Sequence, residues 1–309
     1  MSDTSDTARW ARLDQALTRL HAAGHQLSFW WRDDDAVEAT PQLDHLLDLA
    51  QRYHLPLALA VVPGLVVSGS TENSLVQRID RAADADSPEA RPEIVILQHG
   101  WKHQNHAGPD TKKCEYPASR DPDICLAELS QGQARLKALF GSRFLPVLVP
   151  PWNRFANSLI PSLATHGFIG ISGGPSGFPN SGGIPLFQAH TAIDPIDWAR
   201  RHSSTSHGRG VHGAGAYGAG AYGAGVRPLA AILDDILIPL ENALAPQIPA
   251  PPFPQTAPPQ IPMPPALGIL THHLVHETTL WSFLDQLFLR LSRHPAVRFV
   301  SARSLFPSD

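Results

Sequence analysis

Short apolar runs alternate along this chain with longer stretches in which leucine recurs every three or four positions. The runs Leu27–Trp31, Leu57–Val62, Ile94–Gln98, Pro146–Val149, Phe168–Ser172, Leu186–Ala192, Leu267–Thr271 and Val297–Val300 are too short for helices and are predicted as strands. Helical spacing appears between them. Leu13, Leu17 and Leu20 share one face, as do Leu43, Leu46, Leu47 and Ala50, and later Leu126, Leu129, Leu136 and Leu139. Further helices are predicted over Asn73–Ala83, Ser158–Thr165, Leu229–Ala245 and Thr278–Arg293. Strands alternating with helices imply parallel pairing through right-handed crossovers. The predicted fold class is α/β, a distorted (β/α) barrel of seven or eight units. A doubly wound open sheet is the alternative.

Two segments break the pattern. The repeat GAGAY occurs twice between Gly213 and Gly225, and Pro246–Pro265 is dense in proline. Glycine keeps the first from a fixed conformation and proline keeps the second extended. They are read as insertions at 202–227 and 246–265 in a single domain spanning residues 1–309, either surface loops or a lid or docking loop.

Composition narrows the function classes. Apolar residues are 43% of the 309, enough for a full core, and the net charge of -4 supplies no basic surface for nucleic acid. Two cysteines, Cys114 and Cys125, do not make a disulfide framework. The polar segment Met1–Trp10 lacks the basic start and apolar run of a signal peptide, and no run is long enough to span a bilayer. The expectation is a cytoplasmic protein with no membrane or nucleic-acid partner; oligomeric state is not predicted. The sixteen histidines are the unusual feature. They gather at His99, His103 and His106, at His272, His273 and His276, and at His202, His207 and His212.

The polar groups fall at the C-terminal ends of the predicted strands. Arg32, Asp33, Asp34 and Asp35 follow the first, His99 and His103 the third, Trp152, Asn153 and Arg154 the fourth, and His272 and His273 the run Leu267–Thr271. In a parallel barrel these ends share one rim, where active sites form. Three consecutive carboxylates repel one another unless a cation offsets them, though a solvated acidic loop has the same composition. His99 and His103, four apart, would share a face if they lay on one helical turn. With a carboxylate from the acidic run they would make a three-ligand site for Zn²⁺, or for Co²⁺, Ni²⁺ or Mn²⁺, leaving positions open for water and substrate. His106 is read as a supporting group or plain loop.

These motifs resemble those of the polysaccharide deacetylase family. The family's Thr-Phe-Asp-Asp motif is matched by Trp31-Arg32-Asp33-Asp34, and its His-(Ser/Thr)-x-x-His motif by His99 and His103, with Gly100 at the hydroxyl position. Pro150-Pro151-Trp152 partly matches the third motif, Asp194-Pro195-Ile196-Asp197-Trp198 the fourth, and Leu270-Thr271-His272 the fifth. All occur in family order. The resemblance implies a barrel of the polysaccharide-deacetylase type, with Asp34, His99 and His103 as metal ligands and Asp33 as general base. His272 would be the general acid, with His273 in reserve. Trp152, Arg154 and Trp198 would contact substrate, and Asp194 or Asp197 would hold His272 or an arginine. The metal would polarise the acyl oxygen and acidify water, releasing an N-acyl group, acetyl first, from an amino sugar or related compound.

The departures mark a divergent branch. Val149 stands where the third motif carries arginine, leaving Arg154 or Arg32 to replace it, and Asp35 stands where glycine is usual. A metal-dependent amidase on a small non-sugar amide, or an inactive binding protein on the same fold, are the alternatives.

Overall fold

The computed structural model describes residues 3–66, 74–83, 92–180, 185–198, 225–244 and 266–307. The proline-rich insertion, the GAGAY repeats up to residue 224, and His202, His207 and His212 lie outside the described residues.

The elements run α1 (Asp3–Ala22), β1 (Leu27–Ala36), α2 (Pro41–Arg52), β2 (Leu57–Val61), α3 (Leu75–Ala83), β3 (Ile94–His99), α4 (Pro122–Phe140), β4 (Phe144–Val149), α5 (Ile160–Thr165) and β5 (Gly170–Ile171). They continue with β6 (Phe187–Gln188), β7 (Thr191–Ile193), β8 (Ile196–Asp197), β9 (Gly225–Val226), α6 (Leu229–Leu244), β10 (Leu267–Thr271), α7 (Thr278–Arg293), β11 (Val297–Phe299) and α8 (Ala302–Leu305).

The main sheet has the order β6-β5-β4-β3-β2-β1-β10-β7, and every pairing in it is parallel. Its two ends are neighbours in the chain, since only Ala189 and His190 separate β6 from β7. The sheet is therefore rolled until its edges meet, which a doubly wound sheet with remote edges does not do. Gly173 ties the seam. Its carbonyl accepts from Thr191 N at 3.0 Å and from Thr191 Oγ1 at 3.2 Å, and its N–H donates to His190 Nδ1 at 3.0 Å. The fold is thus a distorted (β/α) barrel with eight strands around the ring. The single strand expected over Leu186–Ala192 is two strands on opposite sides of that seam. β11 pairs with the start of β1, Leu27 to Phe29, while β10 pairs with its middle, Phe29 to Asp33.

The two faces of β1 show how period-two alternation sorts its residues. Leu27, Phe29 and Trp31 belong to the core between sheet and helices, with Leu43, Leu46, Leu47, Phe283, Leu287 and Phe288. Trp30 belongs instead to the barrel interior, with Ala58, Ala60, Val95, Leu97, Val147 and Val149. Phe306, just after α8, closes the floor of that interior, its ring 6.3 Å from Trp30. No helix among the described residues is long and apolar enough to cross a membrane.

Candidate active site at the strand C-termini

Alternation continues past Trp31, and it decides what each acidic residue does. Arg32 and Asp34 follow Trp30 into the interior. The Arg32 guanidinium donates to both Asp34 oxygens, at 2.8 and 3.0 Å, and reaches across to Ser172 Oγ at 2.6 Å and Asn153 Oδ1 at 3.3 Å. Both partners of this fork are buried. Of the two arginines proposed to replace the missing motif arginine, Arg32 therefore holds a carboxylate in the barrel. Arg154 donates to the Lys113 carbonyl at 3.1 Å instead.

Asp33 follows Trp31 to the helix side. Its carboxylate accepts from Thr271 Oγ1 at 2.7 Å, His273 N at 2.9 Å and His273 Nδ1 at 2.5 Å. Asp33 and His273 are both completely buried. The expectation of a water-activating base at Asp33 finds this carboxylate behind the strand, occupied by three donors.

Strict alternation would send Asp35 the same way, but the β1–β2 register slips between Asp33 and Ala36, and Asp35 has φ 73°. This bulge turns its carboxylate over the barrel mouth. Asp35 Oδ1 lies 3.1 Å from His99 Nε2 and 3.3 Å from His103 Nε2. The carboxylate that meets the two imidazoles is thus Asp35 rather than Asp34, one residue later than the motif alignment placed it.

The histidines are not on a helical turn either. His99 ends β3, and the loop that follows turns through left-handed Gly100 (φ 59°) and His103 (φ 54°). Glu115 holds this loop from beneath, accepting from Trp101 N at 3.2 Å and Lys102 N at 2.7 Å. A Cβ at Gly100 would collide with the Glu115 carboxylate and the Pro151 ring, so the family's hydroxyl residue has no room here. Burial raises the Glu115 pKa, against the two N–H donors that lower it. Sequence reasoning missed Glu115, because an isolated acidic residue in a loop carries no spacing signal.

The electrostatics of the cluster fit a cation. His99 Nδ1 donates to the Val149 carbonyl at 2.9 Å, because a carbonyl can only accept. In the neutral ring Nε2 then carries its lone pair toward Asp35 Oδ1, a buried oxygen with no hydrogen-bond partner among the described residues. The ligand atoms of Asp35, His99 and His103 all lie within 4.8 Å of one another. Neighbouring ligands of four-coordinate zinc, with bonds of about 2.0–2.1 Å, stand about 3.3 Å apart. The spacing and donor set therefore suit a divalent ion. Without one, burial pushes the Asp35 carboxyl up but His103, His99 and His272 outweigh it, leaving it well below the usual range. Burial opposes protonation of His99, yet Asp35 and Asp34 raise its pKa on balance. Burial dominates at His103 and lowers it to about 4, so that imidazole is neutral at pH 7.

The remaining candidates surround this point. Trp152, itself left-handed at φ 57°, lays its ring 4.3 Å from His103, with the Lys113 ammonium 5.9 Å over its face. His272 is half-buried, its Nδ1 has no partner among the described residues, and the Trp198 ring stands edge-on 4.7 Å away. Asp194 accepts from Trp198 Nε1 at 3.0 Å, so it holds the tryptophan rather than His272 itself. Asp197 lies near Arg227, whose main partner is Asp235. His106 is exposed and outside the cluster. Five non-glycine residues have positive φ among the described residues, and four of them, Asp35, His103, Trp152 and Asn153, belong to this rim. Such concentration of strained backbone is typical of functional sites.

No family model matches the chain, and no curated protein matches it. Among solved structures, it is similar to a family 4 acetyl xylan esterase from Clostridium thermocellum in complex with a cobalt ion, at 16% identity over 90% of each chain and a TM-score of 0.48. A peptidoglycan deacetylase from Bacillus subtilis is 13% identical over 91% of this chain and 90% of its own, with a TM-score of 0.46. A family 4 carbohydrate esterase from Streptomyces lividans in complex with acetate is 10% identical over 87% of this chain and 90% of its own, with a TM-score of 0.43. The solved structures to which the chain is similar thus include carbohydrate esterases and deacetylases.

Proposed function

We propose that the chain is a metal-dependent hydrolase that removes an acyl group, with the N-acetyl group of an amino sugar or related compound as its substrate. The observation that carries this reading is the convergence of three lone-pair atoms, from Asp35, His99 and His103, beside a separate carboxylate, Asp34, locked by Arg32. Asp35, His99 and His103 would hold the metal, with zinc first and cobalt, nickel or manganese also suited to the donor set. A divalent ion there supplies Lewis acidity, polarising an acyl oxygen and acidifying nearby water.

The chain's own residues supply the rest. Asp34 accepts the proton that water loses as its oxygen bonds to the acyl carbon. Arg32 keeps that carboxylate aimed and charge-balanced. His272 gives a proton to the leaving nitrogen as the carbon–nitrogen bond breaks. Trp152 and Trp198 flank the acyl group. Motif order supports the sugar reading, with the first motif advanced by one residue so that Asp34 and Asp35 take the roles of base and ligand.

The test is metal content together with acetate release from N-acetyl chitooligosaccharides. Asp35→Ala and His103→Ala are expected to lose bound zinc or cobalt. Asp34→Asn is expected to keep the metal and lose about 10²–10⁴-fold in kcat. Undiminished metal in Asp35→Ala, or an undiminished rate in Asp34→Asn, would overturn the assignment.

A further inference from the structure

We propose that Asp33 and His273 form a positioning clamp that fixes the general acid His272 relative to the base Asp34. This rests on the roles just given to those two residues. Asp33 precedes Asp34 and His273 follows His272 in the chain, and Asp33 pairs in register with Thr271 across the β1–β10 ladder. The clamp thus joins the strand that carries the base to the turn that carries the acid.

Both oxygens of Asp33 are spent on that turn. One accepts the His273 ring N–H, and the other accepts the His273 main-chain N–H and the Thr271 hydroxyl. Thr271 is itself oriented, accepting from Trp31 Nε1 at 2.9 Å. The whole network is buried on the helix side of β1, away from the mouth. Stability alone does not explain it. Well-packed apolar residues usually serve a buried site as well as a buried ionic pair does. What the pair adds is direction: gripping ring and backbone of one residue leaves its neighbour little freedom. His272 itself has a main-chain N–H donating to His276 Nε2 at 3.2 Å and a ring beside the Trp198 edge, but its own Nδ1 has no partner among the described residues, so the fixed turn sets where that ring points. Misplacement by about 1 Å of a reacting group can cost about 10²-fold.

Two measurements on Asp33→Asn test the clamp. The first compares hydrolysis of p-nitrophenyl acetate, phenyl acetate and an N-acetyl chitooligosaccharide by the metal-loaded protein. A good leaving group does not need the acid. The variant should lose about 10–100-fold on the amide and on phenyl acetate, and much less on p-nitrophenyl acetate, with metal content unchanged. The second follows the His272 imidazole by ¹H–¹⁵N NMR, assigned through His272→Gln. Its signals should shift and broaden in the variant while those of His99 and His103 stay in place. If Asp33→Asn fails to fold, Thr271→Val, which removes one of the three donors, should show smaller changes of the same kind. Loss of thermal stability alone, with equal rate losses on all three substrates and an unmoved His272 signal, would overturn the proposal. A wild-type protein that hydrolyses none of these compounds would instead refute the enzymatic reading, and the NMR comparison would still decide whether Asp33 positions His272.

Discussion

The two ends of the barrel interior are made of opposite materials. At the floor, Trp30, Leu97, Val147 and Phe306 fill the space with apolar volume. At the rim, a few residues further along the same strands, a fully buried arginine is held among Asp34, Ser172 and Asn153, beside a histidine–carboxylate cluster. The floor closes the barrel mainly by apolar packing, with a hydrogen bond from Trp30 Nε1 to the His190 carbonyl at 3.3 Å. The rim is organised by charge and hydrogen-bond direction, so removing one partner of a buried pair there is costly.

Three experiments would break or sharpen this contrast. The largest effect is expected from Arg32→Met, which leaves the Asp34 carboxylate buried without its cation. Denaturant unfolding should show a loss of about 3–5 kcal/mol, together with loss of turnover. Phe306→Ala should cost about 3 kcal/mol through lost burial and a cavity at the floor. The folded fraction of that variant should retain normal metal content and kcat; a changed kcat per metal-loaded site would show that floor and rim are coupled.

The smallest effect concerns pH. Burial, then His272, His273 and His45, hold the His276 pKa well below its usual value. The folded state therefore binds fewer protons than the unfolded chain. His276 leaves stability unaffected above about pH 6.5 and lowers it as the pH falls from there toward the folded-state pKa. Thermal melts between pH 7.5 and 5.5 should show a steeper decline for wild type than for His276→Gln. Parallel melting curves would show that His276 contributes nothing to the pH dependence of the rim end.

Much of the framework was legible in the sequence. Each apolar run contains a strand or part of one, with Leu186–Ala192 divided between two, and the inward face of α7 is the one its spacing predicts, with Leu280, Phe283, Leu284, Leu287, Phe288 and Leu291 all buried. The polar groups stood at strand ends, and the parallel sheet gathered those ends on one rim. A signal for Asp33 was also present: it lies two residues after Trp31, so period-two alternation sends it toward the helices. The motif alignment, which counts residues but not faces, concealed this.

Amino-acid order alone therefore determined the alternation of strands and helices, the strands that bear polar ends, and the pair His99 and His103. Tertiary structure decided which carboxylate reaches those imidazoles, because the β1 bulge and the positive φ of Asp35 depend on register with β2. It decided that Arg32 and not Arg154 enters the barrel, and that β6 and β7 meet as the two edges of one seam. Such outcomes follow from contacts between segments distant in the chain, whereas local periodicity records only which face each residue prefers.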